Sequence, residues 1–324
     1  MHVAAVHVVF RVVSRAPASA AGIGLQSELF ARNTRLWVAR EPTSLKRKGE
    51  SMKVVLFCGG AGMRLRGYVD DVPKPMVHIG TRPILWHLMK YYAHFGHKDF
   101  VLCLGHQGSV IKDYFLHYDE AASNDFVWSQ GGKKIQFINR DIDDWTITFV
   151  ETGVNATIGE RLKAVELYLR GEEMFLANYG DGLSDLELPV MIDRFRRSNA
   201  VASLLLVQPT ATFDIVQLTE AGTIAEISAL SQSDIWINGG FFVFRNEIFG
   251  YIHPGEELVR QPFQRLIEKG AVLAQKCTGF WQCMDTFKDK QRLEELNQGV
   301  APWKVWHRVS AAPVDESKTL LVRA

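Results

Sequence analysis

The chain has 324 residues, 47% hydrophobic and 23% charged, with 37 Lys and Arg against 36 Asp and Glu. That composition suits one large globular domain or two small ones and excludes a disordered chain, a collagen repeat and a small disulfide scaffold. A net charge of +1 leaves no broad electrostatic footprint for nucleic acid or an anionic membrane, so any anion must be held locally.

Cys58, Cys103, Cys277 and Cys283 form neither CxxC pairs nor a Cys/His cluster at zinc spacing, which predicts a reducing, cytoplasmic setting. No apolar run reaches the roughly 18 to 20 residues that a membrane-spanning helix needs. Residues 1–51 differ from the rest: they are rich in arginine and carry no acidic residue before Glu28. Their apolar stretch from Val3 to Val13 is broken by Arg11, which argues against a signal peptide, while an Arg-rich, acid-poor presequence fits the composition better. The preferred reading places the natural start at Met52 and takes residues 1–51 as a non-native or disordered extension.

From Met52 onward short apolar strands alternate with amphipathic helices. Met52 to Phe57 reads as a buried strand entering a glycine-rich loop. Ile84, Leu85, Leu88, Met89 and Tyr92 recur at helical spacing up to Gly96, a C-terminal glycine. Strands are expected over Phe100 to Leu104, Ile147 to Val150, Met174 to Ala177, Val201 to Val207 and Phe241 to Phe244. Helices are expected near Ile111 to Tyr118, Glu160 to Leu169, Pro189 to Arg197, Leu258 to Glu268 and Lys288 to Asn297. The alternation predicts an α/β, Rossmann-like domain over residues 52–306, with a mostly parallel sheet flanked by helices. Residues 307–324 form a tail without assignment.

The strongest local signal is Gly59-Gly60-Ala61-Gly62-Met63-Arg64-Leu65, directly after the first strand. Glycines there let backbone N–H groups approach phosphate oxygens, although an ordinary tight turn would use the same residues. It is no dinucleotide fingerprint, since the third glycine of G-x-G-x-x-G would fall on Leu65. Pro73-Lys74-Pro75-Met76 follows, and the flanking prolines predict an extended, stiff segment presenting Lys74 as a fixed cation. Tyr179-Gly180-Asp181-Gly182 stands at the C-terminal end of a predicted strand, the sheet edge where ligands bind. An aspartate between glycines has room for a metal ion carrying phosphates, or is simply a turn residue. Asp285 is a second candidate ligand, with a helix N-cap as its alternative.

The order G-G-x-G-x-R-L, P-K-P-M, I-L-W-H-x-M-K, R-L-K, Y-G-D-G, I-N-G-G-F-F, G-F-W-Q-x-M-D-T and A-P-W-K-x-W resembles the sugar-phosphate nucleotidylyltransferases from Met52 to Trp306. The last three blocks resemble the glucose-1-phosphate cytidylyltransferases within them. The resemblance implies a nucleotide-diphospho-sugar transferase fold and a reaction that joins CTP to glucose 1-phosphate, giving CDP-glucose and pyrophosphate. It implies that Phe57, Cys58, Gly59, Gly60, Ala61, Gly62 and Met63 hold the nucleotide, that Arg64 neutralises the departing phosphates, and that Lys74 grips the α-phosphate region. Asp181 and Asp285 would hold Mg²⁺, Arg161 and Gly180 would line the substrate site, and Asn238 would face the sugar. The implied partners are the two substrates and further copies of the same chain, with no nucleic acid and no membrane.

Several positions depart from that pattern. Relatives carry Glu-Lys-Pro before I-N-G-G-F-F, where this chain reads Glu226-Ile227-Ser228-Ala229-Leu230-Ser231-Gln232-Ser233. Losing one donor to a charged reaction centre costs roughly 3 to 4 kcal/mol. Lys163 or Arg161 would then have to cover the sugar phosphate, or the acceptor differs, or turnover is feeble. Met63 replaces a threonine, Glu160 a glycine and Gln261 a glutamate. The alternative to an active transferase is a sugar-nucleotide-binding homologue with little or no turnover.

Overall fold

A computed structural model describes residues 9–11, 51–60, 72–138, 140–209, 213–230 and 233–307. The expected stretches Ala61 to Leu65, Ser231 to Gln232 and most of both termini lie outside the described residues. In chain order the first half holds β1 (Val9–Arg11), β2 (Lys53–Phe57), β3 (His78–Ile79), β4 (Arg82–Pro83), α1 (Ile84–His94), β5 (Asp99–Leu104), α2 (Gly108–Leu116) and α3 (Glu120–Ser123). Next come β6 (Phe126–Ser129), β7 (Lys134–Phe137), β8 (Thr146–Glu151), α4 (Ile158–Ala164), β9 (Met174–Asn178), β10 (Gly182–Ser184) and α5 (Leu188–Arg196). The remainder is β11 (Ala202–Val207), β12 (Asp214–Leu218), β13 (Ile224–Ala229), β14 (Ile235–Arg245), α6 (Gln261–Glu268), β15 (Val272–Lys276), β16 (Trp281–Cys283) and α7 (Phe287–Gln298).

The main sheet runs β15-β11-β14-β9-β2-β5-β8, with β1 paired beside the start of β14. Its strands are parallel except β14, which lies antiparallel between β9 and β11. The expected mostly parallel α/β sheet is therefore present, as a mixed one. Both faces are covered, and β2 shows why its sequence is a continuous apolar run: Val54 and Leu56 join the core under α1 and α5, while Val55 and Phe57 join the core under α4 and α6.

The chain leaves β2 toward β5 and β8 on one side, then crosses back to β9 on the other. The order of connection reverses between β2 and β9, which opens a crevice at the C-terminal ends of those two strands. Among the described residues, no helix is long and apolar enough to cross a membrane.

Two helices and two hairpins differ from expectation. α6 begins at Gln261 and not near Leu258, because Pro262 is tolerated only in a first helical turn. The predicted helix Glu160 to Leu169 breaks at Val165 into a 3₁₀ turn over Glu166–Leu169. The hairpins β6–β7 and β12–β13 have no counterpart in the sequence reading; apolar Trp128, Ile135, Leu218 and Ile227 on them are exposed. The A-P-W-K-x-W block locks onto α1: Trp303 is fully buried and its Nε1 donates to Nδ1 of His87 at 3.3 Å.

Candidate active site

At the mouth of the crevice the backbone of Phe57 and Cys58 closes β2, with the Cys58 amide donating to the Cys103 carbonyl at 2.9 Å. Gly59 is buried and Gly60 exposed. Ala61, Gly62, Met63 and Arg64 lie outside the described residues. Across the crevice Gly180 adopts φ +83°, and a Cβ on it would come within 3.1 Å of the Phe57 carbonyl oxygen. A glycine is thus required for β9 to turn this close to β2. Its amide donates to Asn178 Oδ1 at 2.9 Å, so the turn is closed by a side chain of the strand it leaves.

The turn aims Asp181 at Lys74. The Lys74 Nζ donates to Asp181 Oδ2 at 2.6 Å and also to Asp285 Oδ1. All three side chains are about 15% exposed, so the triad is shielded yet reachable from solvent. Burial alone would depress the Lys74 pKa, but the two carboxylates outweigh it and hold the ammonium above the ordinary lysine value. The backbone that presents Lys74 is extended only as far as Pro73; Lys74–Met76 is a 3₁₀ turn. It is closed by bonds from Met76 N to the Pro73 carbonyl and from Val77 N to that of Lys74. Pro75 has no N–H, and the second residue of such a turn needs none. The stiffness expected of this segment comes from that turn and from the burial of Pro75 and Met76.

Asp285 reaches the same point through a short ribbon. β10 and β16 pair antiparallel, Gly182 opposite Cys283, and the Met284 amide donates to the Asp181 carbonyl at 3.0 Å. Trp281 pins the ribbon to the main sheet by donating its Nε1–H to the Gly239 carbonyl at 2.8 Å. The helix that follows is capped by Thr286 and Asp289, which satisfy each other's amides in a capping box. The N-cap role is filled by Thr286, and the Asp285 carboxylate meets Lys74.

Two carboxylates that grip one ammonium from both sides form a donor set for a hard divalent cation. Among the described residues no three His, Cys, Asp or Glu side chains gather as a metal cage. A cation here would rest on two carboxylates and complete its shell with water and substrate oxygens. Cys283 lines the same cavity, but burial first, then the nearby carboxylates, push its thiol pKa up and keep it neutral.

Arg161 is 2% exposed and takes a supporting position. Its Nη1 donates to Thr152 Oγ1 at 2.7 Å and to the carbonyls of Gly153 and Leu104 at 2.8 and 3.2 Å. Its Nη2 donates to the Gly59 carbonyl at 3.0 Å and to Val154 at 3.3 Å. The guanidinium lies so close beneath Gly59 that any Cβ there would collide with it. Lys163 turns elsewhere, to the Phe249 carbonyl at 3.1 Å and to Glu166. Neither side chain is presented to the crevice as a spare cation.

Asn238, on β14, is buried beside Asp181 and Trp281 in the cavity. Its Oδ1 accepts from the Gly240 amide and its Nδ2 donates to the Tyr179 hydroxyl at 2.8 Å. The backbone donor fixes which way the amide points. Tyr179 and Trp281 line this cavity as well. Neither has a role in the sequence reading; the signal was their place in the motifs, Tyr179 beside Gly180 and Trp281 in the block that carries Asp285.

Comparison with known proteins bears on the family and the fold. Residues 53–285 match the model of the nucleotidyl transferase family. The chain is 38% identical over 258 residues to a glucose-1-phosphate cytidylyltransferase of Salmonella typhi, covering 79% of this chain and all of that protein. It is 26% identical over 199 residues to a D-glycero-alpha-D-manno-heptose 1-phosphate guanylyltransferase of Campylobacter jejuni, covering 61% of this chain and 78% of that one. Its fold is similar to HddC from Yersinia pseudotuberculosis, with a TM-score of 0.54 and 19% identity, over 75% of this chain and 98% of that one. The family match over residues 53–285, with 38% identity along the whole of the Salmonella typhi protein, makes this chain an enzyme of the nucleotidyl transferase family.

Proposed function

We propose that the enzyme transfers the cytidylyl group of CTP to glucose 1-phosphate, releasing pyrophosphate and CDP-glucose. The observation that carries the reading is the convergence of Lys74, Asp181 and Asp285 beside the Gly59-Gly60 loop. The extent of similarity to the Salmonella typhi cytidylyltransferase supports the choice of nucleotide and sugar.

The sugar phosphate oxygen is already ionised at neutral pH and attacks the α-phosphorus as the pyrophosphate oxygen leaves on the opposite side. The chemistry therefore needs fixed cations and dipoles more than a general base. Mg²⁺ held by Asp181 and Asp285 would neutralise charge on the phosphate oxygens. Lys74 grips the α-phosphate, and Arg64 covers the departing phosphates. Backbone groups in the stretch 57–63 hold the nucleotide, with Arg161 supporting Gly59 from below. Asn238 has a second Nδ2 hydrogen beyond the one given to Tyr179, which suits a sugar hydroxyl.

The test is pyrophosphate release by the full chain with each nucleoside triphosphate against a panel of sugar 1-phosphates in Mg²⁺. CTP with glucose 1-phosphate is expected to give the highest kcat/KM, and Asp181→Asn to lower it by about two to three powers of ten while leaving the fold intact. Preference for another nucleotide or sugar overturns the substrate assignment, and wild-type turnover in Asp181→Asn overturns the site.

A further inference from the structure

Resting on the reading of Asp181 and Asp285 as a cation site, we propose that Lys74 is the resident counter-ion of the pair. Its ammonium keeps a divalent cation out until nucleotide phosphates arrive to receive it, so that metal and nucleotide enter together.

The first ground is geometric. The ammonium meets Asp181 Oδ2 and Asp285 Oδ1, the two oxygens that would ligate a cation bridging the pair. A compact –NH₃⁺ and a divalent ion compete there for the same lone pairs. The second ground is that the carboxylates cannot readily part to admit both. The Met284 amide holds the Asp181 carbonyl at 3.0 Å, and the Asp285 amide donates to Asp289 Oδ2 at 3.1 Å. Nor can the lysine backbone retreat, since Pro75 and Met76 are buried behind it. Only the side chain can move.

The third ground is charge. Bare metal entering the clasp would leave a shielded ammonium without its two carboxylate partners. That displacement costs the strongest class of hydrogen bond in exchange for nothing. A triphosphate arriving with the metal gives the displaced ammonium a new anionic partner. By linkage, nucleotide and metal must then raise each other's affinity by the same factor.

The test measures Mn²⁺ binding by electron paramagnetic resonance on the full chain without nucleotide. Wild type is expected to bind Mn²⁺ weakly, Lys74→Met at least about tenfold more tightly, and Lys74→Arg like wild type. Lys276→Met, which removes the same charge from the end of β15, is expected to change nothing. Adding Asp181→Asn to Lys74→Met should erase the gain. Equal or weaker Mn²⁺ binding in Lys74→Met, or an equal gain in Lys276→Met, overturns the counter-ion role and leaves the cation site standing. A gain that survives the Asp181→Asn addition places the ion elsewhere and overturns the cation site together with the proposal. Circular dichroism reports the fold of each variant, and Lys74→Gln replaces Lys74→Met should the latter unfold.

Discussion

Arg161→Met is expected to destabilise the protein by about 3 to 5 kcal/mol, because the guanidinium ties the Gly59 loop to the end of β5 and to the segment after β8. Five bonds leave its two Nη nitrogens, reaching Gly59, Leu104, Thr152, Gly153 and Val154. The two Nη groups carry four hydrogens to share among these acceptors, so at about 1.5 kcal/mol for each bond from a charged donor the ceiling is roughly 6 kcal/mol. Water entering the space and the relieved burial of an uncompensated cation bring the figure down. Met preserves much of the stem volume, so the loss reads the bonds more than the packing. For a domain of this size the change corresponds to a fall in Tm of roughly 10 °C, which differential scanning calorimetry resolves. Lys at this position supplies three donors in a different geometry and should recover only part of the loss. An ideal Cβ on Gly59 lies 2.0 Å from Arg161 Nη1, so Gly59→Ala should cost less in the Arg161→Met background than in wild type. A Tm within 2 °C of wild type, combined with lost CTP binding by calorimetry, would refute the reasoning: Arg161 would then be a substrate ligand and not the support of the loop.

Two buried histidines set an acid limit on stability. Burial pushes the pKa of both His87 and His97 down to about 4, and each accepts a hydrogen bond at Nδ1, from Trp303 Nε1 and from the Met52 amide respectively. Above the unfolded value of about 6.5 both rings are neutral in either state and cost nothing. As pH falls from about 6.5 toward 4 the unfolded chain takes up protons that the folded one refuses, and stability drops by up to about 3 kcal/mol per ring. Denaturant titrations between pH 7 and 4.5 measure this; a slope unchanged in His87→Gln would show that another group is responsible. Gly180→Ala should cost about 1 to 2 kcal/mol and lower kcat, since it strains a left-handed turn and presses on the Phe57 carbonyl. A reduced Tm with wild-type kcat would mean that the close approach of β9 to β2 does not shape the site.

The elements legible in the sequence are those long enough to show a period. α1 advertises itself through Ile84, Leu85, Leu88, Met89 and Tyr92, all buried. β5, β9 and β11 show as apolar runs because both of their faces are covered. β10 and β16 are three residues each, too short for any period, and yet they bring Asp285 to Asp181. Lys74 and Asp285 are 211 positions apart, and nothing local to either announces the other. The direction of β14 was hidden for another reason: a buried apolar strand reads the same whichever way it runs. Arg161 carries the same lesson for chemistry. Its motif marks a position near the substrates, but the sequence has no means of telling a guanidinium aimed at ligand from one aimed at five main-chain and hydroxyl acceptors.

The disposition of cations bears on the stretch Glu226 to Ser233, where the resemblance implies a lysine that this chain lacks. Part of that stretch is β13, whose residues 224–227 are exposed and which pairs only with β12 among the described strands. A guanidinium whose Nη groups are all engaged and a Lys163 ammonium held by Phe249 and Glu166 are both poor substitutes. The Lys74 ammonium is already engaged by two carboxylates, so it cannot by itself attract a triphosphate and a sugar phosphate together. In the proposed reaction the balance must come from the bound divalent cation, from Arg64, and from Lys74 once phosphate has drawn it off the carboxylates. In that reaction the divalent cation brings positive charge to the clasp together with the substrate, which ties the departure at Glu226 to Ser233 and the clasp to one physical requirement.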